Sequence, residues 1–92
     1  MAPQTVGTRY NGGYADEVVA PHPKYLIPYD GVPTELACTY ACSGLTAYSA
    51  LKKLSHLSED DHLVIIGAGG VGLSAVHFAS SVVKAKIIVA DI

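Results

Sequence analysis

The 92-residue chain has few of the residues that mark several common classes of protein. Its only cysteines, Cys38 and Cys42, are four residues apart, which fits neither a disulfide framework nor a paired-cysteine zinc ribbon. We therefore expect a reducing, cytoplasmic setting. Charged residues form 15% of the chain without a basic stripe, which argues against a nucleic-acid partner. No apolar run is long enough to cross a membrane, and residues 1–5 lack signal-peptide character.

What the chain does contain is typical of a folded α/β protein. Half of its residues are apolar, unlike those of a disordered chain. The length allows one small domain at most. There is no internal repeat or low-complexity segment, and the six tyrosines show no regular spacing. Evidence on function must therefore come from local motifs.

The strongest motif is a glycine-rich sequence that follows an apolar run. Residues 63–66 (LVII) predict a buried strand, and Gly67 to Gly72 (GAGGVG) match G-x-G-x-x-G, the fingerprint of a dinucleotide-binding βαβ unit. In this motif Gly67 allows a tight turn, Gly69 lets a pyrophosphate approach the backbone, and Gly72 lets the helix pack closely on the strand. The N–H groups at the start of that helix attract phosphate.

Two features downstream support the dinucleotide interpretation. Residues 71–79 place apolar side chains at near-helical spacing, and residues 86–90 (KIIVA) predict a second strand. Asp91 then follows Gly72 by 91 − 72 = 19 residues, close to the spacing of about 20 expected for the acid that holds the adenosine ribose. The alternative is a structural glycine turn in another α/β unit, with Asp91 solvated.

The rest of the chain has a weaker pattern. β-forming residues are frequent towards the end of residues 14–20 (YADEVVA), and Thr34 is a plausible helix cap. The expected elements, in chain order, are an irregular segment over residues 1–11, a strand over 14–20, a helix from 34 to 53 or 54 with a break near Ser43 and Gly44, and a polar loop over 55–62.

Two further sequences resemble a known superfamily. Residues 12–21 (GGYADEVVAP) resemble the GGYAEYVVVP strand of the medium-chain dehydrogenases/reductases. Residues 41–48 (ACSGLTAY) resemble the CAGLTAY or CSGITTY helix of the zinc-dependent alcohol dehydrogenases in that superfamily. The glycine-rich motif and Asp91 follow at the family's spacing. The resemblance covers residues 12–92 and does not identify a substrate.

The resemblance implies an α/β fold in three parts. Residues 1–33 would be the C-terminal part of a β-rich, GroES-like catalytic domain, and residues 34–54 would be linking helices. Residues 55–92 would be the first βαβ unit of an NAD-binding Rossmann domain. Such a domain needs about six parallel strands, so we expect an incomplete fold and a partial chain. We also expect the parent enzyme to be a homo-oligomer.

The resemblance assigns cofactor contacts to several residues. Thr46 matches the position beside the nicotinamide, and Gly70 and Val71 match the backbone donors to the pyrophosphate. Asp91 matches the ribose acid, and Ile92 the apolar residue beside the adenine. Because an acid at this position repels a 2′-phosphate, NAD is favoured over NADP. The expected cofactor-binding set is Thr46, Gly67, Gly69, Gly70, Val71, Gly72, Asp91 and Ile92.

A zinc site is implied by Cys42, which matches one ligand of the family's catalytic zinc. The other two catalytic ligands, the proton relay and the structural-zinc lobe precede this stretch in the family, so we expect no catalytic residue here. We expect the 92 residues alone to be inactive and to bind zinc weakly or not at all. Apart from the family, Cys42 reads as a buried structural thiol. We expect Cys38, one turn earlier, in the core.

One position departs from the family's pattern. Val83 stands at the end of the predicted helix, where the family usually has glycine. A β-branched residue resists the left-handed conformation of a glycine cap. We therefore expect the chain to leave this helix by another course.

These observations predict part of an NAD-dependent, zinc-containing dehydrogenase that acts on an alcohol or aldehyde. Two alternatives remain open. One is a zinc-free quinone or enoyl reductase of the same superfamily, against which Cys42 in its motif argues. The other is a non-catalytic dinucleotide-binding module.

Overall fold

The computed structural model describes residues 5–92, and these residues divide into two compact units, residues 5–30 and Gly31–Ile92. Of the irregular segment expected over residues 1–11, the first four lie outside the described residues. The remainder forms a turn closed by an isolated bridge between Val6 and Tyr10. Between residues 5 and 92, no helix is both long and apolar enough to span a bilayer.

The strand expected over residues 14–20 was wrong. These residues run as bends and irregular backbone, and Val19 is 86% exposed. A strand forms only when its N–H and C=O groups pair with a neighbouring strand. Within residues 5–92 the paired strands all lie in the second unit. β-forming side chains alone do not supply a partner.

The second unit opens with a helical segment in three parts. Helix α1 spans Thr34–Thr39, a π turn spans Tyr40–Gly44, and helix α2 spans Leu45–Lys53. The break expected near Ser43 and Gly44 is this π turn. Gly44 is buried against the ring of Tyr40, and a Cβ at Gly44 would lie 3.0 Å from a ring carbon.

The sequence suggested Thr34 as the cap of this helix, but Thr34 is instead the first residue of α1. Pro33 occupies the cap position and makes no side-chain hydrogen bond there. Proline is well tolerated at a helix start because its fixed φ suits the first turn and its missing N–H is not needed.

The C-terminal part of the second unit is a strand–helix–strand arrangement. Strand β1 spans His62–Ile66, helix α3 spans Gly70–Val82, and strand β2 spans Lys86–Ala90. The strands are parallel, with His62 opposite Lys86 and Ile66 opposite Ala90. The predicted α/β class is confirmed. The strand predicted over residues 86–90 matches β2 in full, and the strand predicted over residues 63–66 begins one residue after β1 does.

The core of this unit lies between the helices and one face of the sheet. Leu51 of α2, Ala79 of α3 and Val83 form its buried cluster, and Leu63 and Ile87 of the two strands pack against it. The other sheet face is apolar and largely exposed among the described residues, with the side chains of Val64, Ile66 and Ile88 at 51%, 87% and 46% exposure.

Val83 confirms that the chain leaves α3 by another course than a glycine cap. Its φ of −123° and ψ of 152° are extended values that any residue adopts. Its side chain is 6% exposed and belongs to the core cluster. A branched side chain here therefore adds buried apolar surface to the core.

Val83→Gly should lower the free energy of unfolding by about 2 kcal/mol, since it removes a buried side chain and adds backbone freedom. Urea unfolding followed by circular dichroism measures this. The neighbouring Lys84 is exposed, so Lys84→Gly is the matched control, with only the backbone cost of about 0.5–1 kcal/mol. An equal decrease in the free energy of unfolding of the two variants would show that the Val83 side chain does not stabilise the fold.

Candidate functional site

The loop between β1 and α3 begins with a turn that requires glycine. Gly67 has a φ of +93°, in the region that L side chains rarely adopt. Its N–H donates a 2.8 Å hydrogen bond to the carbonyl oxygen of Ala90, at the end of β2. The parallel ladder thus continues one bond beyond β1, and the chain then turns sharply.

At Gly72 the first turn of α3 lies against this loop. A Cβ built on Gly72 would lie 1.8 Å from the carbonyl oxygen of Gly67 and 2.8 Å from its carbonyl carbon. Both atoms belong to the backbone, so no side-chain rotation relieves the overlap. The absent side chain is what lets the helix approach the strand.

Open space lies beside Gly69 and Gly70, which stand between these two glycines. A Cβ on Gly69 or Gly70 would meet nothing within 4 Å. Helix α3 has no side-chain cap, and its hydrogen bonds begin with the N–H of Leu73, which donates to Gly69 at 2.8 Å. The N–H groups of the first helical residues therefore have no partner within the helix. A pyrophosphate fits such a cradle, because its oxygens need donors and close backbone approach.

Asp91 lies at the C-terminal end of β2, beside the same loop. Its Oδ2 accepts a 2.5 Å hydrogen bond from the N–H of Ala68, and its Oδ1 accepts a 2.6 Å bond from the N–H of Ile92. Both bonds lower the pKa of Asp91 below its ordinary value of 3.8, and the bond from Ala68 makes the larger contribution. The carboxylate is therefore charged at neutral pH, and it is exposed.

A shallow apolar groove of 270 Å³ runs beside β1 and brings Thr46 near the glycine-rich motif. Thr46 lies on α2 and lines the groove with Val71 and Gly72 of α3 and with Ile65 of β1. Ile92, just beyond Asp91, does not line it and is fully exposed. The groove thus joins Thr46 to two of the other expected cofactor contacts.

The two cysteines are both exposed. Cys38, expected in the core, points its Sγ at the carbonyl oxygen of Glu35, 3.2 Å away. That expectation was wrong because α1 packs only against the π turn among the described elements. The structural alternative for Cys42, a buried thiol, is likewise contradicted.

Cys42 by itself does not form a metal centre. Its thiol is of a type that zinc binds, but a zinc site needs three or four protein ligands. Within residues 5–92, no group of three histidine, cysteine or acidic side chains lies close enough to hold a metal ion. The described residues therefore provide one ligand of suitable chemistry and not a site.

Ala68 is a residue of the candidate site that the sequence did not predict. Its contribution is a backbone N–H, and the residue between the first two glycines of the motif has no fixed identity. The spacing that identified Asp91 predicts a contact with the ribose and gives no signal of a contact with the loop.

Comparison with known proteins gives relatives in one class of enzyme. No protein-family model and no solved structure matches the chain. The chain is 40% identical over 92 residues to an NAD-dependent alcohol dehydrogenase of Sulfurisphaera tokodaii, and 37% identical over 92 residues to one of Saccharolobus solfataricus. Each alignment covers 99% of this chain and 26% of the relative's length. It is 36% identical over 76 residues to a probable mannitol dehydrogenase of Medicago sativa, or 82% of the chain and 21% of that protein. The chain spans about a fifth to a quarter of the length of these relatives.

Proposed function

We propose that this chain, which is homologous to one segment of NAD-dependent alcohol dehydrogenases, provides the part of such an enzyme that binds the adenosine and pyrophosphate of NAD. The observation that carries the proposal is the glycine-rich turn. Gly67 has a left-handed φ, Gly72 has no room for a side chain, and Gly69 faces open space. These are the three properties that a dinucleotide-binding turn requires of its glycines.

In this proposal residues 55–92 are the first βαβ unit of a Rossmann domain. The parallel pairing of β1 with β2 and the helix between them support that assignment. Residues 34–54 would be linking helices, and residues 1–33 the end of a GroES-like catalytic domain. The packing of α2 on α3 supports this assignment, because it holds one of these helices beside the helix that follows the glycine-rich loop.

The pyrophosphate would lie over the loop, where the N–H groups of Gly70 and Val71 donate to it at the positive end of α3. The charged carboxylate of Asp91 would accept hydrogen bonds from the ribose hydroxyls. The exposed side chain of Ile92 offers an apolar surface to the adenine.

Bound NAD supplies the acceptor for a hydride from an alcohol, or in reverse the reductant for an aldehyde. The groove beside β1 would hold the nicotinamide end, and Thr46 would contribute a hydroxyl to its lining. The apolar lining from α2, β1 and α3 would exclude water from that surface. Cys42 would contribute one zinc ligand in the whole enzyme, and its exposure leaves the thiol accessible to a metal held by other residues.

Cofactor titration tests this function. We expect the unmodified full-length protein to bind NAD at least tenfold more tightly than NADP, because the carboxylate of Asp91 repels a 2′-phosphate. Asp91→Ala should reduce the preference for NAD over NADP about tenfold. The variant loses a hydrogen bond between the ribose and a charged group, and such a bond is worth about 1.5 kcal/mol. Isothermal titration calorimetry with both cofactors measures the ratio.

Asp60 provides the control, since it is an exposed acid in the loop before β1. Asp60→Ala should leave the ratio unchanged. Tighter binding of NADP than of NAD by the unmodified protein would contradict the proposal.

A further inference from the structure

We propose that Asp91 has a second role, as a clamp on the glycine-rich loop. By holding the backbone N–H of Ala68, its carboxylate would fix the path of the loop and so aim the N–H groups of Gly70 and Val71 at the phosphates. Asp91 is then a positioning residue as well as a ribose ligand. The inference rests on the proposed function, since it concerns how the same site is prepared for its cofactor.

The clamp joins parts of the chain that are 23 residues apart. Within residues 5–92, no other side chain makes a hydrogen bond to Gly67, Ala68 or Gly69. Backbone bonds hold the two ends of the loop, where the N–H of Gly67 donates to Ala90 and the carbonyl oxygen of Gly69 accepts from Leu73. The hydrogen bond that the N–H of Ala68 donates to Asp91 holds the middle of the loop.

The loop needs such support because its residues give it little of their own. A Cβ on Gly69 or Gly70 would contact nothing within 4 Å, so side-chain packing does not restrict these two positions. Glycine also has more backbone freedom than any other residue. A hydrogen bond to an ionised carboxylate is about twice as strong as a neutral one. Asp91 makes such a bond with Ala68, the one residue of the loop before α3 that is not glycine.

The clamp and the ribose contact are compatible. A carboxylate has about four acceptor sites, and in this structure Asp91 uses one for Ala68 and one for Ile92. The remaining sites are free for ribose hydroxyls, so NAD does not have to displace the loop. A loop already fixed in its binding conformation loses less entropy when the pyrophosphate arrives.

Two substitutions separate the clamp from the ribose contact. Asp91→Asn removes the charge but keeps an oxygen that accepts from Ala68, whereas Asp91→Ala removes both. The probe is inorganic pyrophosphate, which has no ribose. If Asp91 contacted only the ribose, both variants would bind pyrophosphate equally, and more tightly than the unmodified protein because a negative charge is gone. With the clamp, Asp91→Ala should bind it about tenfold more weakly than Asp91→Asn.

Amide hydrogen exchange gives a readout that needs no ligand. We expect the Ala68 amide of the full-length protein to exchange about tenfold faster in Asp91→Ala, and to show a smaller increase in Asp91→Asn, whose neutral oxygen accepts a weaker hydrogen bond. Equal exchange in all three proteins would overturn the clamp, whatever the pyrophosphate result. Failure of the unmodified protein to bind NAD would instead overturn the proposed function and leave the exchange data to decide the clamp.

Discussion

Gly72→Ala is expected to lower the free energy of unfolding of the second unit by about 4 kcal/mol and to abolish NAD binding. Overpacking usually costs about 1–3 kcal/mol because side chains and backbone shift to accept the added atoms. Here the added Cβ would lie 1.8 Å from the backbone oxygen of Gly67. Relief requires α3 to move away from β1, which opens the core and displaces the phosphate donors, so the cost falls in the exceptional range.

Thermal unfolding followed by circular dichroism, with NAD titration at a temperature where the variant remains folded, measures both effects. Gly70→Ala is the matched control. It adds the same methyl group two residues earlier, where a Cβ meets nothing within 4 Å, and alanine favours the helix that begins there. Its unfolding temperature should stay unchanged or rise. Similar unfolding temperatures for Gly72→Ala and Gly70→Ala would show that the helix does not need its close approach to the strand.

Gly69→Ala should weaken NAD binding about a hundredfold and leave stability unchanged. Gly69 has a φ of −76°, which alanine adopts without strain, and a Cβ there points into open space. That space is where the pyrophosphate would approach the backbone, so a methyl group would hold it away from its donors. Loss of two hydrogen bonds to a charged ligand, each worth about 1.5 kcal/mol, corresponds to about a hundredfold in affinity.

Calorimetric titration with NAD and a thermal unfolding curve test the two halves of this result. Gly13→Ala is the control for binding, because Gly13 lies in the first unit and a Cβ there also meets nothing. An unchanged affinity in Gly69→Ala would mean that the pyrophosphate does not lie over this glycine. A large loss of stability would mean that Gly69 serves the fold and not the ligand.

The two strands beside the glycine-rich motif could be predicted to within one residue, and the helix between them in type and place, because local rules act on them without conflict. An apolar run, a turn that only glycine allows and a helical apolar pattern all indicate the same arrangement over residues 62–90. The strand expected over residues 14–20 failed because pairing depends on a partner that composition does not reveal.

The candidate site could be predicted in its residue types but not in all of its contacts. The spacing identified Asp91 as an acid near the loop, yet its bond to Ala68 joins residues distant in sequence and uses a backbone group. Cys38 was misplaced because helical periodicity says which residues share a face and not whether another element covers it. The close approach of Gly44 to the ring of Tyr40 within the π turn becomes visible only in three dimensions.

The π turn at Tyr40–Gly44 also limits how the length of this chain can vary during evolution. A π turn holds one more residue than an α-helical turn. Loss of a single residue there would leave an α-helical turn that covers nearly the same rotation with one residue fewer, so α1 and α2 would keep their faces while the residues inside the turn shift. Cys42 lies inside the turn, so such a deletion would redirect the thiol while leaving the sequence around it intact. Descendants of this chain should therefore differ in residues 40–44 by substitution, and insertions or deletions should fall in the loop over residues 55–61.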